Sequence, residues 1–306
     1  MNEPYEEHDF ERDGITYHAL KYPGKQHNNP PVVLIHGLLM GPRFFFYKQV
    51  EKIQENGDVY AINLAGHYPS TLPESFDGPI DEAFITRTVE HQLAFFNLDK
   101  KDVILIGHST GALAALIYAI AKPAHIAGLG ILSSEPHGRE EGSGMYRLFQ
   151  TLNRKYGALG NWLWSLIIKS NSFSFSVHKF LLSDVAHDKK RMFSYPGFDD
   201  WVAWSFEHNQ YLSARQTGMW LRDLYEIHIE DRLDQITVPV LLVFSEKDPY
   251  MSPSAMETIK KALTSSVDVK TRLIPQSGHL YMFESSDEYE STLIPWINAL
   301  STPTGP

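Results

Sequence analysis

Apolar and polar positions along the 306-residue chain fall into two rhythms. Short continuous apolar runs at 32–35, 59–62, 103–106, 126–132 and 239–244 suit strands buried on both faces of a sheet. Helical spacing lies between them. Ile85, Val89, Leu93 and Phe96 recur at i, i+4, i+8 and i+11, which predicts a helix over 81–97 with one apolar stripe. Residues 43–54 read as a helix stopped by Asn56-Gly57, and Ala112 to Ala121 as a buried helix. Near the amino terminus Ile15, Tyr17 and Ala19 alternate with polar neighbours, as an antiparallel edge strand does, while residues 1–10 and the tail read as loose.

From Ser133 the alternation stops. Residues 135 to about 233 hold no convincing strand but several aromatic-rich helical segments, including five of the six tryptophans. The rhythm resumes with the 239–244 strand, a helix over 254–262, a strand over 267–274 and a closing helix over 288–299. Alternating strands and helices predict an α/β fold with a parallel sheet covered on both faces. The interruption predicts a helical cap at 135–233, inserted into a core made of 1–134 and 234–306. Its aromatics are expected to be mostly its own core, with some facing the cleft.

Composition narrows the function. The net charge of −10 argues against nucleic acid as a partner, because a binder of phosphate needs a basic surface. No basic amphipathic segment stands out as a membrane-docking helix. No apolar run reaches the roughly 20 residues of a membrane span, so integral membrane association is not expected. The chain has no cysteine, which excludes disulfides, thiolate catalysis and Cys-based metal sites. The acidic, polar amino terminus is unlike a signal peptide, and the default expectation is a cytoplasmic protein. Oligomeric state is not legible.

Candidate chemistry sits where the predicted strands end, which is where open parallel sheets collect ligands. The 103–106 run meets Gly107-His108-Ser109-Thr110-Gly111 and then a helix. Glycines two residues either side of Ser109 leave room for strand and helix to approach closely, and a serine at such a turn projects its hydroxyl above the sheet. The pentapeptide is short, so its context decides its meaning. His36-Gly37-Leu38 follows the 32–35 strand, Asp248 follows the 239–244 strand, and His279 follows the 267–274 strand. A serine nucleophile needs a base, and the base needs an orienting carboxylate. Two carboxylates compete for that role: Asp248, and Glu135 just past the 126–132 strand.

The segments PVVLIHGLLMG (31–41), INLAGHYPS (62–70), VILIGHSTG (103–111), PVLLVFSEKDPY (239–250) and IPQSGH (274–279) together resemble the α/β-hydrolase superfamily in its capped serine-hydrolase, esterase- and lipase-like branch. The resemblance implies a mostly parallel eight-stranded sheet covered by helices. It implies Ser109 as nucleophile, His279 as general base and acid, and Asp248 as the orienting carboxylate. The backbone N–H groups of Leu38 and Thr110 would form the oxyanion hole, supported by His36, Gly37, Gly107 and Gly111. His108 would pack below the site. Tyr68 departs from the second glycine that relatives often carry after His67, which leaves the path of that loop open. No metal or organic cofactor is implied.

The leading expectation is a carboxylic ester hydrolase acting on a small-molecule ester of small or medium acyl chain. A carbon–carbon bond hydrolase or perhydrolase would use the same triad, and a ligand-binding receptor or an acyltransferase would use the same fold. An aspartate would be needed at Ser109 for epoxide or haloalkane chemistry.

Overall fold

The computed structural model describes residues 5–43, 49–139 and 144–300. Its centre is an eight-stranded sheet in the order β1-β2-β4-β3-β5-β6-β7-β8. Six of these strands are parallel: β3 (Val32–Ile35), β4 (Val59–Ile62), β5 (Val103–His108), β6 (Ile126–Leu132), β7 (Val240–Ser245) and β8 (Val269–Ile274). Strands β3 to β5 and β7 are buried along their whole length, as their uninterrupted apolar runs predict.

Alternate side chains of each strand go to opposite layers. Val33 and Ile35 join the core beneath α2 (Glu82–Phe95), α3 (Thr110–Ala121) and α10 (Pro253–Ala262). Val32 and Leu34 join the core beneath α1 (Gln49–Ile53) and α12 (Ser286–Ala299). The stripe on α2 is buried at Ile85, Val89 and Leu93, and Asp81 caps that helix by accepting from Phe84 N–H at 2.8 Å. The expected helix over 43–54 is described only from Gln49, since residues 44–48 lie outside the described part.

The amino terminus corrects the sequence reading. Residues expected to be loose include β1 (Glu6–Arg12), which pairs antiparallel with β2 (Ile15–Tyr22) from Arg12↔Ile15 to Glu6↔Lys21. The edge of the sheet is therefore β1, and β2 lies inside it, antiparallel to β4 as well. The cause is Asp13-Gly14, whose φ values of 53° and 72° are those of the tight hairpin turn that suits strand twist. Strand β8 begins at Val269 rather than 267, because Val267 is exposed and its N–H donates to Thr237.

Between β6 and β7 the described residues form six helices: α4 (Gly144–Tyr156), α5 (Ala158–Asn171), α6 (Phe175–Ser183), α7 (Lys189–Ser194), α8 (Phe198–Asn209) and α9 (Ala214–Leu224). One isolated bridge, His137↔His228, closes the base of this excursion. Trp164, Trp201 and Trp220 are fully buried here. Trp220 reaches back to the sheet side, where its Nε1–H donates to Ala65 O at 2.8 Å. A short 3-10 turn, Glu230–Gln235, then packs on α3 and α10 before β7.

Candidate active site

Strand β5 delivers the chain into a turn that only its flanking glycines permit. Ser109 has φ 54° and ψ −124°, a conformation that costs a non-glycine residue on the order of 1–3 kcal/mol. Surrounding contacts hold it there. Ser109 N–H donates to Leu132 O at 2.9 Å, and Ser109 O accepts from Ala112 N–H at 2.9 Å. A Cβ on Gly107 would sit 2.2 Å from Gly111 O, and one on Gly111 would sit 2.3 Å from Ile35 O. Both clashes are with backbone, so neither position tolerates a side chain. The helix that follows presents the unpaired N–H groups of its first turn at the serine.

The loop after β3 is tied from beneath. His36 Nδ1 lies 2.7 Å from Gly37 O, and its Nε2 accepts from Leu64 N–H at 3.1 Å and contacts Asn63 Oδ1. Burial lowers the His36 pKa to about 4, so the ring is neutral at pH 7 and works as a strut. Gly37 and Leu38 then line the same cavity as Ser109 and Thr110. His67 is buried against Trp220 and His36, and the loop leaves through a cis Tyr68–Pro69 bond rather than along a glycine.

His279 enters that cavity from the loop after β8. Its Nδ1 lies 2.8 Å from Oδ2 of Asp248, whose side chain is wholly buried. The other Asp248 oxygen accepts from Tyr250 N–H at 2.9 Å and Met251 N–H at 3.1 Å, which fixes the carboxylate plane. Of the two carboxylates in competition, Asp248 makes the contact to His279, and Glu135 is absent from the cavity wall. Neighbouring Glu246 instead accepts from Gln276 N–H at 3.1 Å. His108 is buried beneath, with its ring 4.5 Å from that of His279 and its Nε2 3.1 Å from His279 O. Burial and the neighbouring His279 hold the His108 pKa well below the ordinary histidine value.

One residue has no signal in the sequence. Glu284, on the short helix α11 (Tyr281–Glu284), is buried and turns back onto the loop that carries His279. Its Oε1 accepts from Gly278 N–H at 3.0 Å, while its Oε2 accepts from His187 N–H at 3.1 Å and Asp188 N–H at 2.7 Å. The same α6–α7 connection supplies Val185 O, which accepts from His279 N–H at 2.9 Å. A Cβ on Gly278 would lie 2.5 Å from Val185 O. The histidine loop is thus pinned to the helical segment by backbone hydrogen bonds on both sides. A glutamate five positions after a loop histidine reads as surface until the chain is folded.

The cavity has a volume of about 280 Å³. Its outer wall comes from the helical segment, but the expected aromatic lining is nearly absent. Tyr146 is the aromatic from that segment, and the rest is Met145, Ile167, Ile168, Leu181, Leu182 and Val185 among others. Several large rings are consumed as core: Trp164 donates to Thr217 Oγ1 at 3.0 Å, and Trp201 stacks on Phe198 and packs at a tilt against Phe283. Among the described lining residues the only carboxylate is Asp184, which accepts from Lys189 Nζ at 2.9 Å, and no lysine or arginine is present. Among the described residues no cluster of three metal-ligating side chains occurs.

The family model described as the alpha/beta hydrolase family matches residues 32–292. The chain belongs to the alpha/beta hydrolase family. It is similar to a proline iminopeptidase of Saccharolobus solfataricus, 26% identical over 204 residues, which span 63% of this chain and 61% of that protein. An abhydrolase domain-containing protein of Schizosaccharomyces pombe is 24% identical over 286 residues, 91% of this chain and 96% of the relative. Among solved structures, the 2-hydroxy-6-oxo-6-phenylhexa-2,4-dienoate hydrolase of a Rhodococcus strain superposes with a TM-score of 0.73 at 17% identity, covering 96% of this chain and 99% of that one. The hydrolase fold is common to all three comparisons, while the names differ in chemistry. Among the described residues no helix is long and apolar enough to cross a membrane.

Proposed function

We propose that this chain is a serine hydrolase that cleaves carboxylic esters of small or medium acyl chain. The observation that carries the reading is the convergence of Ser109, Leu38, Thr110 and His279 on one cavity, with Asp248 bonded to the far nitrogen of His279. A carboxylate at Nδ1 keeps the proton there and leaves Nε2 as the base. Ser109 Oγ attacks the ester carbonyl and passes its proton to His279 Nε2. The carbonyl oxygen gathers negative charge against the N–H groups of Leu38 and Thr110. His279 then returns the proton to the departing alcohol, which leaves an acyl-Ser109 ester. Water, deprotonated by His279, attacks that ester and releases the acid and free Ser109.

The cavity's chemistry supports a neutral acyl group. A volume of about 280 Å³ lies at the small end of ligand sites, which begin near roughly 300 Å³. Its wall is mostly aliphatic, no lysine or arginine lines it to pair a substrate carboxylate, and its one carboxylate, Asp184, is already paired with Lys189 Nζ at 2.9 Å. That favours a simple ester over a dienoate.

The test is an ester panel graded by acyl length, run on wild type and Ser109→Ala together. Turnover of p-nitrophenyl butyrate should vanish in the variant, and a fluorophosphonate should label the wild-type peptide that contains Ser109. Near-wild-type turnover by Ser109→Ala would remove the assignment.

A further inference from the structure

The chain's charge of −10 conceals a local reversal. Residues 144–191, which span α4 to α6 and the start of α7, carry eight lysines and arginines against two aspartates, a net +6. Arg147, Lys155, Lys169, Lys190 and Arg191 are exposed and have no ion-pair partner among the described residues. Residues 192–233 reverse sign again, with seven aspartates and glutamates against three arginines. The positive charge is therefore confined to the helices that wall the cavity.

These helices also expose large apolar side chains, which is unusual in a cluster. On α5, Leu159, Trp162 and Leu166 recur at i, i+3 and i+7 on one face, and that face is turned outward. Trp162 is 56% exposed, and Phe173, just past the helix, is 83% exposed. On α6 Phe180 is exposed with Lys189 over its ring, and on α4 Leu148 and Met145 are exposed. Met145 also lines the cavity, so the apolar surface reaches its rim. A soluble protein has no reason to turn Trp, Leu and Phe outward beside unpaired cations unless something apolar and anionic covers them.

Against the expectation from the sequence that no segment docks on an anionic membrane, we propose that α4, α5 and α6 form a peripheral docking surface for an anionic phospholipid bilayer, with the cavity mouth against the lipid. Charge selects the occupant. Lysines and arginines are attracted to the headgroup layer, and Trp, Leu and Phe insert at the boundary between headgroups and acyl chains. A second copy of this chain would bring like charges together on the same face. Docking stands apart from the chemistry at Ser109, although together they would route an apolar ester from the lipid straight to the serine.

The experiment is co-sedimentation of the full chain with phosphatidylcholine vesicles containing phosphatidylserine, with Trp fluorescence read in parallel. Binding should be strong on the mixed vesicles, weak on phosphatidylcholine alone, and reduced by added salt. Emission should shift to the blue, and the shift should be lost in Trp162→Phe. Two exposed double substitutions keep the fold, checked by thermal melting: Lys155→Glu with Lys169→Glu, and Trp162→Ser with Phe173→Ser. Each should weaken binding about tenfold or more. Ser109→Ala should bind as wild type does, so failure of the nucleophile would leave docking intact. No vesicle binding, binding unaffected by both double variants, or a dimer in gel filtration that Trp162→Ser abolishes would each overturn the proposal.

Discussion

The two walls of the cavity are built to different standards. On the sheet side, β3, β5 and α3 meet at backbone contact distance, and Ser109 is locked by glycines that admit no Cβ. On the helical side, the large rings are buried in the segment's own core, the lining is flexible aliphatics, and apolar residues remain on the outer face. In the proposed function one wall would hold reacting atoms, and reacting atoms lose rate when misplaced by fractions of an ångström. The other wall would hold an acyl chain, for which shape and apolarity suffice. The stringency of packing follows the chemistry each wall is asked to do.

Substituting glycines on the two sides should expose that contrast most sharply. Gly111→Val drives a side chain into the carbonyls of Ile35 and His36, and should cost more than about 4 kcal/mol, so that little folded protein is recovered. Gly144→Ala, on α4, meets nothing within 4 Å and should change stability by about 0.5 kcal/mol or less in urea unfolding. If both are tolerated, the elbow is less constrained than its geometry says. The next effect is catalytic. Asp248→Asn keeps the shape but reverses the hydrogen bond to His279, and kcat should fall by about 10⁴ with the melting temperature little changed. Glu135→Gln should leave kcat nearly intact. The opposite pairing of results would move the acid to Glu135.

The same contrast governs what the sequence disclosed. Parallel strands buried on both faces are continuous apolar runs, so β3 to β7 and the residues at their ends are visible in the pattern. Strand β1 is EEHDFER, mostly solvated, and the apolar pattern hides it; the turn residues Asp13-Gly14 are the only hairpin signal beside it. The strand pattern alone left Asp248 and Glu135 open because both follow core strands; the resemblance pointed to Asp248, and it is Asp248 that meets His279 Nδ1 in the fold. In the helical segment, aromatic content pointed to a core but not to which rings enter it. Trp164, Trp201 and Trp220 are buried while Trp162 is exposed, and nothing in their spacing says which faces core, cleft or solvent. Glu284 was invisible for a related reason, since its partners are backbone groups of residues nearly a hundred positions away.

Glu284 is where the two walls are joined, and its replacement should produce an intermediate effect. We expect Glu284→Ala, which frees Gly278, His187 and Asp188 together, to lower kcat by about tenfold through misorientation of His279, with a smaller change in KM. Glu284→Gln keeps the volume but at most two of the acceptor contacts and should restore only part of the loss, whereas a purely packing role predicts full restoration. Burial raises the Glu284 pKa above the ordinary glutamate value, so the folded state holds this proton more tightly than the unfolded state does. The contribution to stability is therefore full below the ordinary value and is lost as pH rises through the folded pKa. The stability of wild type relative to Glu284→Gln should fall over that window in denaturant titrations at stepped pH. A difference that is flat, or that rises with pH, would show that the three N–H groups outweigh burial.

The smallest effect concerns the permissive wall alone. Ile167, on α5, lines the cavity and is only partly buried, so Ile167→Ala should cost little stability while lengthening the space open to an acyl chain. A methylene in an apolar pocket is worth about tenfold in kcat/KM. The ratio of octanoate to butyrate ester turnover should rise by about that factor, with kcat on acetate esters unchanged because Ser109 and His279 are not disturbed. An unchanged ratio would place the acyl chain elsewhere, along Leu38 to Met40 and Tyr250. Selectivity would then reside in the rigid wall, and the helical segment would serve access rather than choice.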